Sequence, residues 1–285
     1  MPPFILWVAM ELLPFFDRDP EREYKRAPGG GRKPVHSREA ILMAIWHVLS
    51  TGCYWRSLPE KQFGVSGKLV HKYHMKWARN GFYFWLWATS VTIYNEVEGI
   101  AFERIAVDGT IIKARKGGEE TGYNYKDTGM LGTKRNVAVD GRGAPVSMTQ
   151  CPANTHDVMQ LEPLLDNMLY EVPEEMRGKV TLYADKAYEG KKHIANIVKA
   201  GFKANVMKKG AKRMTKSRKE NLRYRFPVEA CHFWMNNFKK LIIRYEKTAC
   251  SYFGLMYLAA CHIVLRKIGN GCLIYDEWSE EMLAA

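Results

Sequence analysis

ERIAVDG (residues 103–109) and KVTLYADKAYEG (179–190) share one pattern, a short apolar run reaching an aspartate, Asp108 in the first and Asp185 in the second. Short apolar runs bounded by turn residues read as buried strands. Between them, KRNVAVDGRGAPVSMTQ (134–150) reads as a hairpin around Asp140-Gly141. HDVMQLEPLLDNML (156–169) has the apolar spacing of an amphipathic helix. Strand, hairpin, helix, strand, helix is the order of an α/β fold with a mixed sheet. If the two apolar strands are neighbours, their C-terminal ends bring Asp108 and Asp185 together. Asp140, at a strand end and followed by glycine, reads as a turn residue instead.

Upstream of residue 100 the period is helical. REAILMAIWHVLSTG places Ile41, Ile45, Val48 and Leu49 on one face and stops at Gly52. Ser66 is placed to cap SGKLVHKYHMKWARNG, and FYFWLWATSVTIYNE follows as a third, aromatic helix. In the middle helix Leu69, Tyr73 and Trp77 form an apolar stripe. Lys68, Lys72, Lys76 and Arg79 form a cationic stripe beside it, as in a helix-turn-helix whose second helix lies on DNA; an ordinary solvated face is the competing reading. RAPGGGRKP (26–34) reads as a basic linker. The expected organisation is a helical DNA-binding module over 1–98, a catalytic domain over 99–270 and a tail over 271–285.

The chain has 285 residues, a net charge of +13 and a pI near 9.4, which suits a polyanionic partner. The charge is concentrated: residues 203–247 hold fourteen Lys or Arg against three acids. The six cysteines show no CxxC pair, as expected of reduced thiols in a cytoplasmic protein. The longest apolar segment, 253–265, is too short to span a bilayer and reads as a buried helix, so no membrane role is expected.

One acid stands out in the basic stretch, Glu229 in RYRFPVEACHFWMNNFKKL (223–241). Pro227 suits a first helical position, which would place Glu229 in the first turn, with Asn236 and Lys240 on its stripe and Arg225 close behind. Three converging carboxylates repel one another and make sense around bound cations. Hard oxygen donors suit Mg²⁺ or Mn²⁺. A pair of such ions is the usual device for in-line attack at a phosphodiester. The bland alternatives are a turn role for each aspartate and a dipole-offsetting role for Glu229. His156 and Asp157 read as a hydrogen-bonded histidine beside a capping aspartate, and Cys231 and His232 as packing residues.

The ordered blocks IAVDGT, GTKRNVAVDGRGAPV, NTHD, LYADKAY, RFPVEACHFWMNNFKKL and RYEKTACSYFGLMYLAACHIVLR resemble the bacterial insertion-sequence transposases with a DDE catalytic domain. The similarity is to the insertion-sequence-five group, and GGGRKPVHSREAILMAIWHVLSTGCYWRSLP resembles that group's amino-terminal DNA-binding module. The resemblance implies a ribonuclease-H-like catalytic fold, with Asp108, Asp185 and Glu229 as the catalytic and metal-binding triad. The family's helix signature is Tyr, two residues, Arg, three residues, Glu, six residues, Lys. Arg225 and Glu229 match it, while Leu222 stands at the Tyr position and Asn236 at the Lys position. Arg225, Lys239 and Lys240 are then the expected DNA contacts of this region, Lys240 substituting for the missing lysine. The implied activity is Mg²⁺-dependent cleavage and joining, with Mn²⁺ able to substitute and two ions per site. The implied partners are terminal inverted repeats, target DNA and a second copy of the chain in a homodimer. A retired transposase acting as a DNA-binding regulator, or a ribonuclease-H-like nuclease, are the alternatives.

Overall fold

The computed structural model describes residues 1–17, 35–124, 129–208 and 215–271; the expected linker at 26–34 and residues 272–285 of the expected tail lie outside them. The described helices are α1 (Pro3–Phe16), α2 (Arg38–Thr51), α3 (Glu60–Phe63), α4 (Gly67–Arg79), α5 (Phe82–Glu98), α6 (Leu161–Asp166), α7 (Lys191–Lys199), α8 (Lys216–Asn237) and α9 (Ala249–Leu265). The strands are β1 (Arg104–Ala114), β2 (Gly122–Asn124), β3 (Met130–Val139), β4 (Pro145–Pro152), β5 (Thr181–Ala184), β6 (Lys203–Val206) and β7 (Ile243–Arg244). Contacts divide the chain into two units: Met1–Ser90 with Asn237–Ile242 and everything from Glu246 on, and Val91–Asn236 with Ile243–Tyr245.

The first unit is helical. Ser37 Oγ accepts from the Ala40 amide to start α2, and Gly52 ends it in a left-handed conformation (φ 73°) that an L side chain rarely adopts. Ser66 Oγ caps α4 by accepting from the Leu69 amide. The buried face of α4 is Val70, His74 and Trp77, not the expected Leu69, Tyr73 and Trp77. The shift has a cause in His74, which apolar patterning counts as polar. Its Nδ1 meets the Tyr83 hydroxyl and its Nε2 the Ser251 hydroxyl, each at 2.9 Å. With both ring nitrogens satisfied, the ring can be buried; burial pushes its pKa down to about 3 and keeps it neutral. α9, most of it buried, packs on α4 inside this unit. No helix among the described residues is long and apolar enough to cross a membrane.

The second unit is built on one mixed sheet, crossed in the order β4, β3, β1, β5, β6. β3 is antiparallel to both β4 and β1, which is the hairpin expected around Asp140. β5 and β6 run parallel to β1 and to each other, the strand order and direction of a ribonuclease-H-like sheet. β1 does not end at Asp108-Gly109. It continues to Ala114 because β3 pairs with it as far as Lys113 opposite Gly132. On its other edge β1 meets β5 only over 104–106 and β7 only at 113–114. Residues 107–112 therefore have no strand partner on that side among the described residues.

Two helices differ from their sequence reading. The 156–169 stretch is a 3-10 turn over Asp157–Gln160 followed by the short α6, since Pro163 has no amide hydrogen to extend a helix backwards. Pro227 does not start a helix: α8 runs straight through it. A proline inside a helix normally costs stability, and here burial of Asn221, Arg225, Val228, Cys231, His232 and Met235 offsets that. Asn221 Nδ2 donates to the Ala184 carbonyl (3.1 Å) and the Asn205 carbonyl (2.6 Å), tying the upstream turns of α8 to the ends of β5 and β6.

Candidate active site

The β1–β5 register pairs Ala106 with Tyr183, so Asp108 and Asp185 lie two residues further along two parallel neighbours. β5 stops at Ala184, which releases Asp185, and Asp108 lies where β1 has lost its partner on that edge. α8 closes the group from the side, one helical turn carrying Arg225 and the next Glu229. Arg225 Nη2 lies 3.4 Å from Asp108 Oδ1 and 3.5 Å from Glu229 Oε1, and Nη1 lies 3.6 Å from Asp185 Oδ1. All three acids thus converge, as expected, but on a buried guanidinium of their own chain. Glu229 sits in mid-helix, so it cannot be explained as a first-turn acid offsetting the helix dipole.

The charge balance is unfavourable to ionised Asp108. Burial pushes its pKa up to about 6, and the nearby Glu229 and Asp185 add to the rise; Arg225 and the Gly109 amide pull the other way without cancelling it. Tyr188 is buried close by, and its hydroxyl has no hydrogen-bond partner.

Next to Asp108, Gly109 lets a second group come close. A Cβ at this position would lie 2.6 Å from Asn136 Oδ1 and 3.3 Å from Asp157 Oδ1. Asp157 does not cap a helix but pairs with Lys134 Nζ at 2.6 Å, and Lys134 also donates to the Thr155 carbonyl at 2.6 Å. These groups border a cleft of about 330 Å³ that includes Tyr123, Asn124 and His156. Sequence reasoning missed Lys134. Its only signal is a lysine at an inward position of a strand.

Asn236, the departure from the helix signature, is held by Arg135. Arg135 Nη2 donates to Asn236 Oδ1 (3.2 Å) and Nε to His232 Nδ1 (3.2 Å). A lysine at 236 would set a second cation against buried Arg135, whereas the amide oxygen accepts from it. His232, driven down to a pKa of about 3 by burial and by Arg135, is neutral and able to accept, a packing role as its sequence context implied.

The transposase DDE domain family matches residues 101–264, and the family of IS4/5 transposases matches residues 14–87. The chain belongs to the DDE transposase family. The protein assigned as the transposase of insertion sequence element IS402 of Burkholderia cepacia is 31% identical over 161 residues, covering 54% of this chain and 72% of that protein. The transposase of IS1106 from Neisseria meningitidis serogroup B is 24% identical over 130 residues, 46% of this chain and 42% of that protein. The Mos1 transposase paired-end complex aligns over 86% of this chain and 83% of its own at 10% identity and a TM-score of 0.28, too loose to carry residue correspondences.

Membership of the DDE transposase family implies use of divalent metal, and the donor set suits it. Three carboxylates offer hard oxygen ligands, and one guanidinium stands against them. As placed, no three His, Cys, Asp or Glu side chains among the described residues close round a common ion position, because Arg225 stands among them.

The structure separates the cations expected to contact DNA. Lys68, Lys72 and Arg79 are exposed on α4. Lys76 is drawn off that stripe to Asp17, whose carbonyl it meets, beside the Arg38–Asp17 pair at 3.0 Å. Arg225 belongs to the carboxylate cluster, not to an open surface. Lys239 is exposed in the 3-10 turn after α8. Lys240 is not on the stripe of Glu229, because α8 ends at Asn237. It is 2% exposed and paired at 3.2 Å with Glu246, itself 3% exposed, so it is not available to a phosphate.

Proposed function

We propose that the chain is a DNA transposase that binds the terminal inverted repeats of an insertion sequence and cuts and rejoins DNA there. The observation that carries this is the convergence of Asp108, Asp185 and Glu229 from β1, the end of β5 and α8, within a segment matched by the DDE domain family. A descendant that only binds DNA has no physical need for three acids in mutual repulsion.

In this reading Asp108, Asp185 and Glu229 hold two Mg²⁺ ions, or Mn²⁺, which when bound supply activation of the attacking water or hydroxyl and neutralisation of the leaving oxygen. The carboxylates fix where the scissile phosphodiester must lie. Arg225, freed from them, stays within reach of that phosphate as a planar, permanently charged donor. Lys68, Lys72 and Arg79 on α4 are the proposed repeat-reading contacts, and Lys239 a phosphate contact. Two ends must be held together while each triad engages one strand, so the working form is a homodimer.

The test is an excision and joining assay on linear DNA carrying the element's own ends, with Mg²⁺ or EDTA, and mass measured on the paired complex. Wild-type protein should release and join ends only with metal, and Asp108→Ala, Asp185→Ala and Glu229→Ala should each abolish this while still binding the repeat. Full activity in any of the three removes that residue. Cleavage without joining would favour a nuclease, and joining by a 1:1 complex would exclude the dimer.

A further inference from the structure

Asp108 stands where β1 is held from one side only. β3 pairs with it there, but residues 107–112 have no strand partner on the other edge among the described residues. Its carboxylate is caught by Arg225, a contact that has to open before the three acids can hold metal. The backbone of Asp108 then needs a hold of its own while its side chain changes partners. α8 carries a group fit for that in His232, one helical turn beyond Glu229.

The tautomer of His232 follows from its neighbour. A guanidinium has N–H donors and no acceptor. Arg135, fully buried, donates from Nε to His232 Nδ1 at 3.2 Å and from Nη2 to the His232 carbonyl at 3.3 Å. Nδ1 therefore accepts and carries no proton, so the neutral ring keeps its proton on Nε2. His232 is only 7% exposed, and Nε2 is buried without a hydrogen-bond partner. The Asp108 carbonyl is the group it faces, near enough to draw on that proton but not aligned well enough to complete a hydrogen bond. A side chain kept only for packing has no need of this arrangement. Phenylalanine would fill the space with no donor to satisfy, whereas a buried N–H left unmade costs stability. Asn236 extends the series outward by accepting from Arg135 Nη2 at 3.2 Å.

We propose that Arg135 and His232 are positioning residues for Asp108: Arg135 fixes the His232 tautomer, and His232 Nε2–H donates to the Asp108 carbonyl when the carboxylates close on metal. That bond ties β1 to the turn of α8 next to Glu229, and so sets the separation of two of the three ligands. The inference rests on the function proposed above, because it takes Asp108 and Glu229 as metal ligands.

The experiment reads metal binding and tautomer separately from DNA cleavage. Titrating metal-free protein with Mn²⁺, and following free Mn²⁺ by electron paramagnetic resonance, gives the affinity. His232→Phe, which keeps a ring and loses both nitrogens, should bind Mn²⁺ about 10-fold more weakly, the low end for groups that orient metal ligands. His232→Gln, whose amide offers one acceptor and one donor, should bind as wild type does. In cleavage of repeat DNA His232→Phe should need correspondingly more Mg²⁺ and approach the wild-type rate once saturated. In ¹⁵N spectra of histidine-labelled protein the His232 ring, assigned by its loss in His232→Gln, should be the neutral Nε2–H tautomer. An Nδ1–H tautomer overturns the proposal even if His232→Phe does not fold. So does wild-type Mn²⁺ affinity in folded His232→Phe, or a folded glutamine variant that binds no better than the phenylalanine one. Wild type that binds Mn²⁺, with the expected losses in the variants, but never cuts repeat DNA would sink the proposed function alone. Normal cutting, with Mn²⁺ affinity unchanged in His232→Phe, would sink this inference alone.

Discussion

Asp108 Oδ1 lies 3.4 Å from Arg225 Nη2, so the first of the three candidate metal ligands is already paired with a cation from its own chain. The same guanidinium reaches Asp185 and Glu229, and without it three carboxylates would face one another with nothing between them. Arg225→Gln should therefore destabilise the metal-free protein. Arg225 is buried but Glu229 is half exposed, so the loss should fall between the surface and buried limits for ion pairs, about 1–3 kcal/mol. Mg²⁺ should then raise the melting temperature of Arg225→Gln more than that of wild type, because the ion takes over the role of the missing charge. Thermal melts with and without Mg²⁺ measure both. An unchanged melting temperature together with an unchanged response to Mg²⁺ would show that Arg225 does not neutralise the cluster.

The raised pKa of Asp108 gives a pH signature whose sign can be worked out. Its carboxyl titrates at about 6 in the folded protein against 3.8 ordinarily, so between those values the folded state binds more protons than the unfolded chain. Stability then falls as pH rises through about 6, and the favourable contribution is fully present only below 3.8. The shift corresponds to about 3 kcal/mol at most. Asp108→Asn, which carries no charge, should raise the melting temperature of the metal-free protein at pH 8 and do so by about half as much at pH 5, while abolishing DNA cleavage. Melting the two proteins across that pH range checks it. A gain independent of pH would mean that the ionised carboxylate is not what destabilises the fold.

Asp140, the acid read as a turn residue, is also a buried hydrogen-bond hub. It is fully buried: Oδ1 accepts from the Arg142 and Ala144 amides (3.0 and 2.9 Å), and Oδ2 from the Ala101 amide and the Tyr94 hydroxyl (3.0 and 2.6 Å). An asparagine replaces one of these oxygens with a donor, and whichever way it flips it faces at least one backbone amide that cannot turn away. Asp140→Asn should cost about 1–3 kcal/mol for each orphaned donor, with cleavage per folded molecule preserved. Urea denaturation and an activity assay on the same preparation separate the two effects. Wild-type stability would mean that the loop re-forms its hydrogen bonds around the amide.

The meeting of the three acids was legible because two aspartates close apolar strand patterns and one glutamate interrupts a basic stretch, and these are local signals. The order of elements along the chain, the hairpin and the caps at Gly52 and Ser66 were legible for the same reason. What was hidden depends on partners far away in the chain. β1 looks finished at Gly109, yet β3 carries it on to Ala114. Pro227 looks like a helix start, yet the buried face from Asn221 to Met235 draws the helix through it. His74 looks polar, yet Tyr83 and Ser251 supply both of its hydrogen bonds. Arg225 could be placed near Glu229 from helical spacing, but not as the shared partner of all three acids, because that requires the β1–β5 register as well.

Lys239 and Lys240 make the sharpest contrast between charge in the sequence and charge on the surface. Both were expected to hold phosphate, and adjacent lysines in a basic stretch give no reason to tell them apart. In the structure Lys239 is exposed, whereas Lys240 is buried against Glu246 and lies 5.7 Å from the Trp55 ring centroid. Truncating one member of a buried pair leaves the other charge without its partner in a medium that solvates it poorly, which costs about 3–5 kcal/mol. An exposed lysine costs within about 0.5 kcal/mol, but each lost phosphate contact makes the slope of log affinity against log salt shallower by about 0.9. Lys239→Ala should therefore keep its stability and lose about one contact from the salt slope. Lys240→Ala should lose stability and, at temperatures where it is still folded, keep the wild-type slope. Titrating labelled repeat DNA from about 50 to 200 mM salt, alongside urea denaturation of each variant, reads both quantities. A reduced slope in folded Lys240→Ala would place that ammonium group on DNA after all, and would require the Lys240–Glu246 pair to open when DNA binds.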